Sequence, residues 1–122
     1  MIRRLLPLLL ASACAGPSAE READLSGELA GRTAGAPEEC IVTSAGSNLA
    51  VRDSRTLVYD RGGTLWVNRL PDACPGLNPM SRLVIEVHGS RHCRGDRFQA
   101  VEPGLSIPGP SCRLGAFTPY RR

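Results

Sequence analysis

The amino-acid sequence predicts a mainly β fold: a small disulfide-stapled sandwich or open barrel with a short N-terminal helix. Two observations favour this fold class. From residue 40 onward, short β-prone runs alternate with Gly, Pro, Asp and Asn, a pattern typical of sandwiches and barrels. Four further cysteines follow the first one, and a chain of 122 residues buries a thin core that such cross-links would reinforce.

The N-terminus has the order of residues found in a secretory signal peptide. Arg3 and Arg4 precede an apolar run over residues 5–11, and small residues follow that run. The run is far shorter than the roughly 20 apolar residues that span a bilayer as a helix. We therefore expect residues 1–13 to be a cleaved signal peptide and the protein to be exported.

Residues 10–14, Leu-Ala-Ser-Ala-Cys, resemble a bacterial lipobox, in which the cysteine receives a lipid and cleavage occurs directly before it. The segment departs from the usual pattern at Ala11, where Leu is commonest. Ordinary cleavage after Ala13 or Ala15 is the alternative and would leave a periplasmic or secreted protein. We expect lipidation at Cys14 and a position on the periplasmic side of the bacterial cell envelope. Because Ala15 rather than Asp follows the cysteine, the outer membrane is the expected destination.

The mature chain divides by charge into two parts. Residues 14–39 carry two Arg and six acidic residues and are predicted to form a lipid-anchored acidic linker. Within it, Leu25 and Leu29 are spaced for one or two helical turns, which Gly31 would end. Residues 40–122 carry eleven Arg and six acidic residues and are predicted to form the small β domain.

Five runs in the β domain have the composition of strands, and they cover residues 40–43, 56–59, 64–68, 83–88 and 97–101. The second and third runs flank residues 60–63, a connection with two glycines that can take positive φ, so they predict a hairpin. The Pro- and Gly-rich stretch over residues 103–110 predicts irregular chain on the surface.

Once Cys14 is assigned to lipid, the remaining cysteines predict two disulfides in an oxidising compartment; they are Cys40, Cys74, Cys93 and Cys112. Four cysteines allow three connectivities. We favour Cys40–Cys93 with Cys74–Cys112, because each bridge closes a long loop and the second tethers turn-rich segments. In the chain-entropy model such loops contribute about 3 to 5 kcal/mol each. A structural zinc site is the competing use, but the sequence has no Cys-x-x-Cys pair.

These positions together resemble a known family. The features that carry the resemblance are Cys40-Ile41, a hairpin ending at Leu70, Cys74-Pro75-Gly76-Leu77, a cysteine near residue 93, and Cys112 followed by residues 113–120. They are similar in position to those of small proteobacterial secreted proteins in a domain-of-unknown-function family with a four-cysteine framework. The resemblance covers roughly residues 25–120 and rests on cysteine and turn positions. It implies export and a cysteine framework, and it implies no activity.

The two histidines, His88 and His92, are the candidates for a metal site, since Cys93, Asp96 and Glu86 lie nearby in sequence. If a turn brought the imidazoles together, they could bind Zn²⁺ or Cu²⁺ with a carboxylate. The competing interpretation is a solvated strand face beside a disulfide, and we prefer it. No nucleophile elbow, zinc-protease helix or phosphate-binding loop is present, so the sequence indicates neither a cofactor nor a catalytic residue.

All fifteen basic residues are Arg. Six of them could form a basic patch: Arg91, Arg94, Arg97, Arg113, Arg121 and Arg122. Nucleic acid is not an expected partner in the envelope, so anionic lipid or cell-wall carboxylates are better matches for such a patch. We therefore expect a non-enzymatic binding or structural module that contacts an envelope protein or the cell wall. The alternatives are an envelope inhibitor of a lysozyme or protease, and a metal-binding or hydrolytic protein that uses His88 and His92.

Overall fold

The computed structural model describes residues 24–43, 48–86 and 88–122, and it is mainly β as predicted. The signal segment, Cys14 and residues 15–23 lie outside the described residues. The elements are α1 (Ser26–Leu29), β1 (Thr33–Ala34), β2 (Cys40–Val42), β3 (Ala50–Asp53), β4 (Thr56–Arg61), β5 (Thr64–Arg69), β6 (Arg82–Ile85), β7 (Arg91–Cys93), β8 (Arg97–Val101), β9 (Ser111–Arg113) and β10 (Phe117–Arg121).

The largest sheet has five antiparallel strands in the order β1-β10-β5-β4-β3. The predicted hairpin is its centre, with β4 paired to β5 from Thr56↔Arg69 to Arg61↔Thr64. The connection is shorter than the four residues expected, because the strands continue through Arg61. Only Gly62 and Gly63 form the loop, at φ 58° and 82°. Two successive positive φ angles match the tight hairpin turns whose twist suits that of the strands.

Two smaller antiparallel sheets complete the fold, one with the order β6-β8-β9 and one that pairs β2 with β7. β8 covers the predicted run Arg97–Val101. The predicted run over 83–88 is β6, followed by an isolated bridge between His88 and Arg91; Val87 lies outside the described residues. Residues 103–110 contain no strand, as expected for their composition.

The main core lies between the sheets. Leu57 and Phe117 from the five-stranded sheet join Phe98 from the three-stranded sheet and Ile41 from the two-stranded sheet in one buried cluster. Phe98, Leu57 and Phe117 are at most 1% exposed. Among the described strands no sheet closes into a barrel. The fold therefore has the layered arrangement of a sandwich rather than a closed barrel.

A second, smaller core lies on the other face of the five-stranded sheet, under α1. Leu25 is 4% exposed and clusters with Leu65 and Val67, against which Leu29 also packs. The predicted helix is thus present, and Gly31 follows it at φ 73°. Because both faces of the β4–β5 hairpin are covered, residues at successive positions of its strands are buried.

The folded domain begins before residue 40. The segment predicted to be linker contributes α1, and β1 pairs with the C-terminal strand β10. Glu38 also forms a bridge with Phe117, with N···O distances of 2.7 and 2.9 Å. Residues 24–39 are therefore part of the domain, because their backbone completes the edge of the five-stranded sheet and their leucines cover its second face.

Two disulfides are present, and they have the pairing that we favoured. Cys40 and Cys93 are directly opposite each other on β2 and β7, with Cα atoms 4.0 Å apart. Cys74–Cys112 ties the loop that follows β5 to β9. Each bridge closes a long loop, 53 and 38 residues in sequence separation, so both restrict the unfolded chain strongly.

Candidate binding surface

The three-stranded sheet has one apolar face and one polar face. Along β8, Phe98 and Ala100 are buried in the main core, while Arg97 and Gln99 point to the other side. Side chains alternate along a strand, so β6 and β9 divide in the same way. The outer face is therefore formed by Arg82, Val84, Glu86, Arg97, Gln99, Ser111 and Arg113, together with Val101, which lies opposite Arg82 and is buried.

Arg97 and Arg113 are directly opposite each other on this outer face. Directly opposed residues have Cβ atoms about 4.5 to 5.5 Å apart, and like charges in that position are destabilising. The Arg113 guanidinium donates a hydrogen bond of 3.1 Å to the Gly95 carbonyl oxygen. With the residues that the structure describes, the Arg97 side chain forms neither an ion pair nor a hydrogen bond.

A shallow depression of about 340 Å³ lies beside Arg97. Val84 lines it and is 56% exposed, and Gln99 lines it while donating a hydrogen bond of 3.2 Å to the Gly109 carbonyl oxygen. Arg97, Glu86 and Ser111 complete the polar part of its wall. The depression thus offers an apolar floor with a guanidinium group at its rim.

A second depression, of about 280 Å³, lies on the far side of β9 beside the Cys74–Cys112 disulfide. Ser111 lines both depressions, whereas Arg113 and Asp72 line only the second. Ser111 lies opposite Gln99 and Arg113 opposite Arg97, so β9 forms a narrow ridge between the two depressions. Each depression has one acidic residue: Glu86, opposite Arg97, lines the first, and Asp72 lines the second.

The two candidate histidines do not share a face. His88 and Arg91 are bridged across Gly89-Ser90, so they point to the same side, whereas His92 is the next residue along β7 and points to the other. His88 is exposed, while His92 is 8% exposed and directly opposite Ile41. Within the described ranges, no group of three His, Cys, Asp or Glu residues is close enough to hold a metal ion.

His92 has an unusual environment nonetheless. Its Nδ1 atom is buried and has no hydrogen-bond partner in the described part of the chain. Burial lowers the pKa of His92 from its ordinary value near 6.5, and the charge of Asp96 opposes this shift. Asp96 is itself committed to the turn after β7, where its Oδ2 accepts a hydrogen bond of 2.8 Å from the Cys93 N–H.

Of the six arginines predicted to form a patch, the structure opposes only Arg97 and Arg113. Arg94 approaches Glu39 at 3.5 Å, and the Arg121 guanidinium lies 5.6 Å from the centroid of the Trp66 ring. Arg82 belongs to the outer face but was not among the predicted residues. Its alternation with Leu83 on a strand was the signal that could have identified it.

No family model, no curated protein and no solved structure matches the chain in comparisons with known proteins. The family resemblance of the cysteine positions therefore stays a prediction. The helix α1 has four residues, and nowhere in the described ranges is a helix long and apolar enough to cross a membrane.

Proposed function

We propose that the protein is an exported binding module of the bacterial cell envelope and that the outer face of its three-stranded sheet binds an anionic group. One observation carries the proposal: Arg97 and Arg113 are directly opposed on an exposed face, and among the described residues the Arg97 side chain forms no ion pair, although Glu86 is its neighbour on β6. Guanidinium groups form paired, charge-assisted hydrogen bonds to carboxylate and phosphate. An anion bound between the two arginines would relieve their repulsion as well as gain those bonds.

The expected compartment supports this choice of ligand. The signal-like N-terminus and Cys14 predict export and attachment to a membrane. Two disulfides are consistent with an oxidising compartment. In the envelope, the abundant anionic groups are lipid phosphates and the carboxylates of cell-wall polymers. Both suit an exposed site of this kind, which has a guanidinium group beside a shallow apolar floor.

Sedimentation with two probes tests the proposal. Full-length Cys14→Ser protein, processed on export, would be mixed with purified peptidoglycan or with vesicles of phosphatidylglycerol and phosphatidylcholine. We expect binding to one of them, and the Arg97→Ala/Arg113→Ala variant should bind that probe at least about tenfold more weakly. Sedimentation with peptidoglycan alone assigns the ligand to the wall, and sedimentation with the vesicles alone assigns it to lipid.

The matched control removes the same charge from other surfaces. Arg91 lies on the His88 side of β7 and Arg122 is the exposed C-terminal residue, so Arg91→Ala/Arg122→Ala should bind like the parent. Equal losses in both double variants would show that binding follows net charge and would contradict a specific site. A parent protein that sediments with neither probe would overturn the proposal.

An inhibitor of an envelope lysozyme or protease is the second candidate, and one observation favours it. The loop between β8 and β9 exposes Ile107 by 79% and Leu105 by 54%. Its return is held by Gly109, whose N–H donates to the Ala100 carbonyl oxygen at 2.9 Å. A restrained loop with an apolar tip suits insertion into an enzyme cleft. If the protein inhibits hen-type lysozyme or trypsin, Ile107→Asp should abolish the inhibition and Arg122→Ala should not.

A further inference from the structure

The edge strand β6 has one side on which no strand of the described residues pairs. It pairs with β8 on one side and ends the three-stranded sheet on the other. The Glu86 N–H donates to the Arg97 carbonyl oxygen at 3.0 Å, so the even-numbered residues of β6 exchange hydrogen bonds with β8. Leu83 and Ile85 consequently turn their N–H and C=O groups away from β8. With other described elements these two residues form no backbone hydrogen bond.

This edge lacks two of the common barriers to pairing. Native edge strands are blocked by proline, by a bulge, by a covering segment, by short length or by charged side chains. β6 contains no proline, and its register with β8 is regular from Arg82↔Val101 to Ile85↔Phe98. Its middle outward residue, Val84, is 56% exposed. The free backbone groups of Leu83 and Ile85 are therefore a template for another strand.

The outward side chains of β6 are complementary to themselves. They follow the order Arg82, Val84, Glu86: one positive, one apolar and one negative residue at alternate positions. In an antiparallel pair of two such strands centred on Val84, Arg82 lies opposite Glu86 of the second copy on both sides of the centre. At the centre, Val84 meets Val84 of the second copy.

The backbone selects the same register. Centring on Val84 sets Leu83 opposite Ile85 of the second copy, and these are the residues with free groups, so four N–H···O=C bonds form. A shift by one residue would set Leu83 and Ile85 opposite even-numbered residues, whose backbone N–H and C=O groups already bond to β8. A shift by two residues would set Arg82 against Val84 or His88 of the second copy and lose the charge pairing.

From this agreement we propose that the protein forms a two-fold symmetric homodimer in which the β6 edges of two copies pair antiparallel about Val84. The result is a continuous six-stranded sheet, the isologous interface expected of a C2 dimer. This inference goes beyond the proposed anion binding and does not depend on it, because Arg97 and Arg113 lie on β8 and β9 and stay exposed.

Charge exchange tests the register. In a Glu86→Arg homodimer, arginine would face arginine at both pairs of positions 82 and 86. In an Arg82→Glu homodimer, glutamate would face glutamate at the same two pairs. Each variant alone should therefore dimerise at least tenfold more weakly. Mixed together, the two variants should form a heterodimer as tight as the parent homodimer. Sedimentation equilibrium of full-length Cys14→Ser proteins, from about 10 µM to about 1 mM, would measure all three.

The mixture also controls for folding, because two misfolded variants would not restore a specific complex. A parent that stays monomeric throughout this range would overturn the proposal. Single variants that dimerise like the parent, or a mixture that stays monomeric, would overturn it equally.

A cysteine on the two-fold axis provides an independent measurement. Val84 would face itself in a non-hydrogen-bonded pair, where Cα atoms are about 4.5 Å apart, within the range for a disulfide. Val84→Cys should therefore form a covalent dimer under mild oxidation. Gln99→Cys, on the middle strand of the same face, should remain monomeric. Equal cross-linking of the two variants would contradict pairing through β6.

Discussion

Asn68 and Gly115 are held together by two hydrogen bonds between the side-chain amide of one and the backbone of the other. Asn68 Nδ2 donates to the Gly115 carbonyl oxygen at 2.7 Å, and the Gly115 N–H donates to Asn68 Oδ1 at 2.8 Å. Both residues are buried, and Asn68 is fully inaccessible on β5. The amide thereby supplies hydrogen-bond partners for the Gly115 N–H and C=O, which lie between β9 and β10 and pair with no strand.

Replacing Asn68 with Leu should destabilise the protein strongly. The apolar side chain would leave the buried N–H and C=O of Gly115 without partners, and each unsatisfied group costs about 1 to 3 kcal/mol. We expect a loss of about 3 kcal/mol in the free energy of unfolding, measured with urea and intact disulfides. Gly115→Ala should also destabilise, because the added methyl group would overlap the Arg69 carbonyl oxygen. Unfolding of Asn68→Leu at the parent's urea midpoint would show that the amide pair contributes nothing.

Val67→Asp should be the most damaging single change in the hairpin. Val67 is 3% exposed and lies opposite Val58 beneath α1, so an aspartate there would be buried without a partner, which commonly costs several kcal/mol. Arg61→Ala should cost about 1 kcal/mol or less, since it removes one exposed hydrogen bond to the Val42 carbonyl oxygen. Thermal melts compare the two variants. A large drop in the melting temperature of Arg61→Ala, together with a Val67→Asp variant that melts like the parent, would contradict the register of β4 with β5.

The free energy of unfolding should decrease as the pH is lowered, because His92 titrates. Burial lowers the pKa of this imidazole in the folded state, so below about pH 6.5 the unfolded chain takes up a proton that the folded chain resists. The free energy of unfolding should therefore decrease as the pH falls from about 7.5 to about 5.5. His92→Leu should remove most of this dependence, measured by urea unfolding at each pH.

The exposed His88 supplies the control for that measurement. His88→Gln should retain the parent's pH dependence, because the His88 side chain is exposed and points to the opposite side of the strand pair from His92. An unchanged slope in His92→Leu, or its loss in His88→Gln, would assign the pH dependence to a different group.

Lipidation at Cys14 makes a prediction about the cell. Cys14→Ser should release the protein from membranes, and globomycin should cause the unprocessed precursor to accumulate, since that compound blocks cleavage before a lipidated cysteine. Fractionation and mass spectrometry of the mature N-terminus measure both effects. Membrane attachment and mass that do not change in Cys14→Ser would rule out the lipid.

The sequence predicted elements that carry their own local signal. β8 is a run of alternating residues, and β4 and β5 flank a glycine pair, so both were identified without tertiary information. β10 was not predicted, because Pro119 within a run argues against a central strand. In the structure the backbone of Pro119 faces the short strand β1. There its nitrogen, which has no hydrogen to donate, needs no partner, and its carbonyl oxygen accepts a hydrogen bond of 2.7 Å from the Gly35 N–H.

The candidate surface depended on elements with no such signal. β9 has three residues, Ser111–Arg113, and no β-branched or aromatic side chain. Without that strand, the opposition of Arg97 and Arg113 has no basis in sequence, although both were candidates for a basic patch. β7 is equally short, and its pairing with β2 coincides with the Cys40–Cys93 bridge, a contact between positions 53 residues apart.

The Cys40–Cys93 bridge determines how the domain would bear a mechanical load. α1 and β1 precede Cys40, so tension applied along the N-terminal segment reaches them first. They are held by apolar packing, by backbone hydrogen bonds and by the Glu28–Arg52 ion pair, none of which is covalent. Once they detach, the load passes from Cys40 to Cys93 through sulfur. The β4–β5 hairpin lies within the covalent loop and is not stretched. A domain tethered through its N-terminus would lengthen by one short step and keep its main core.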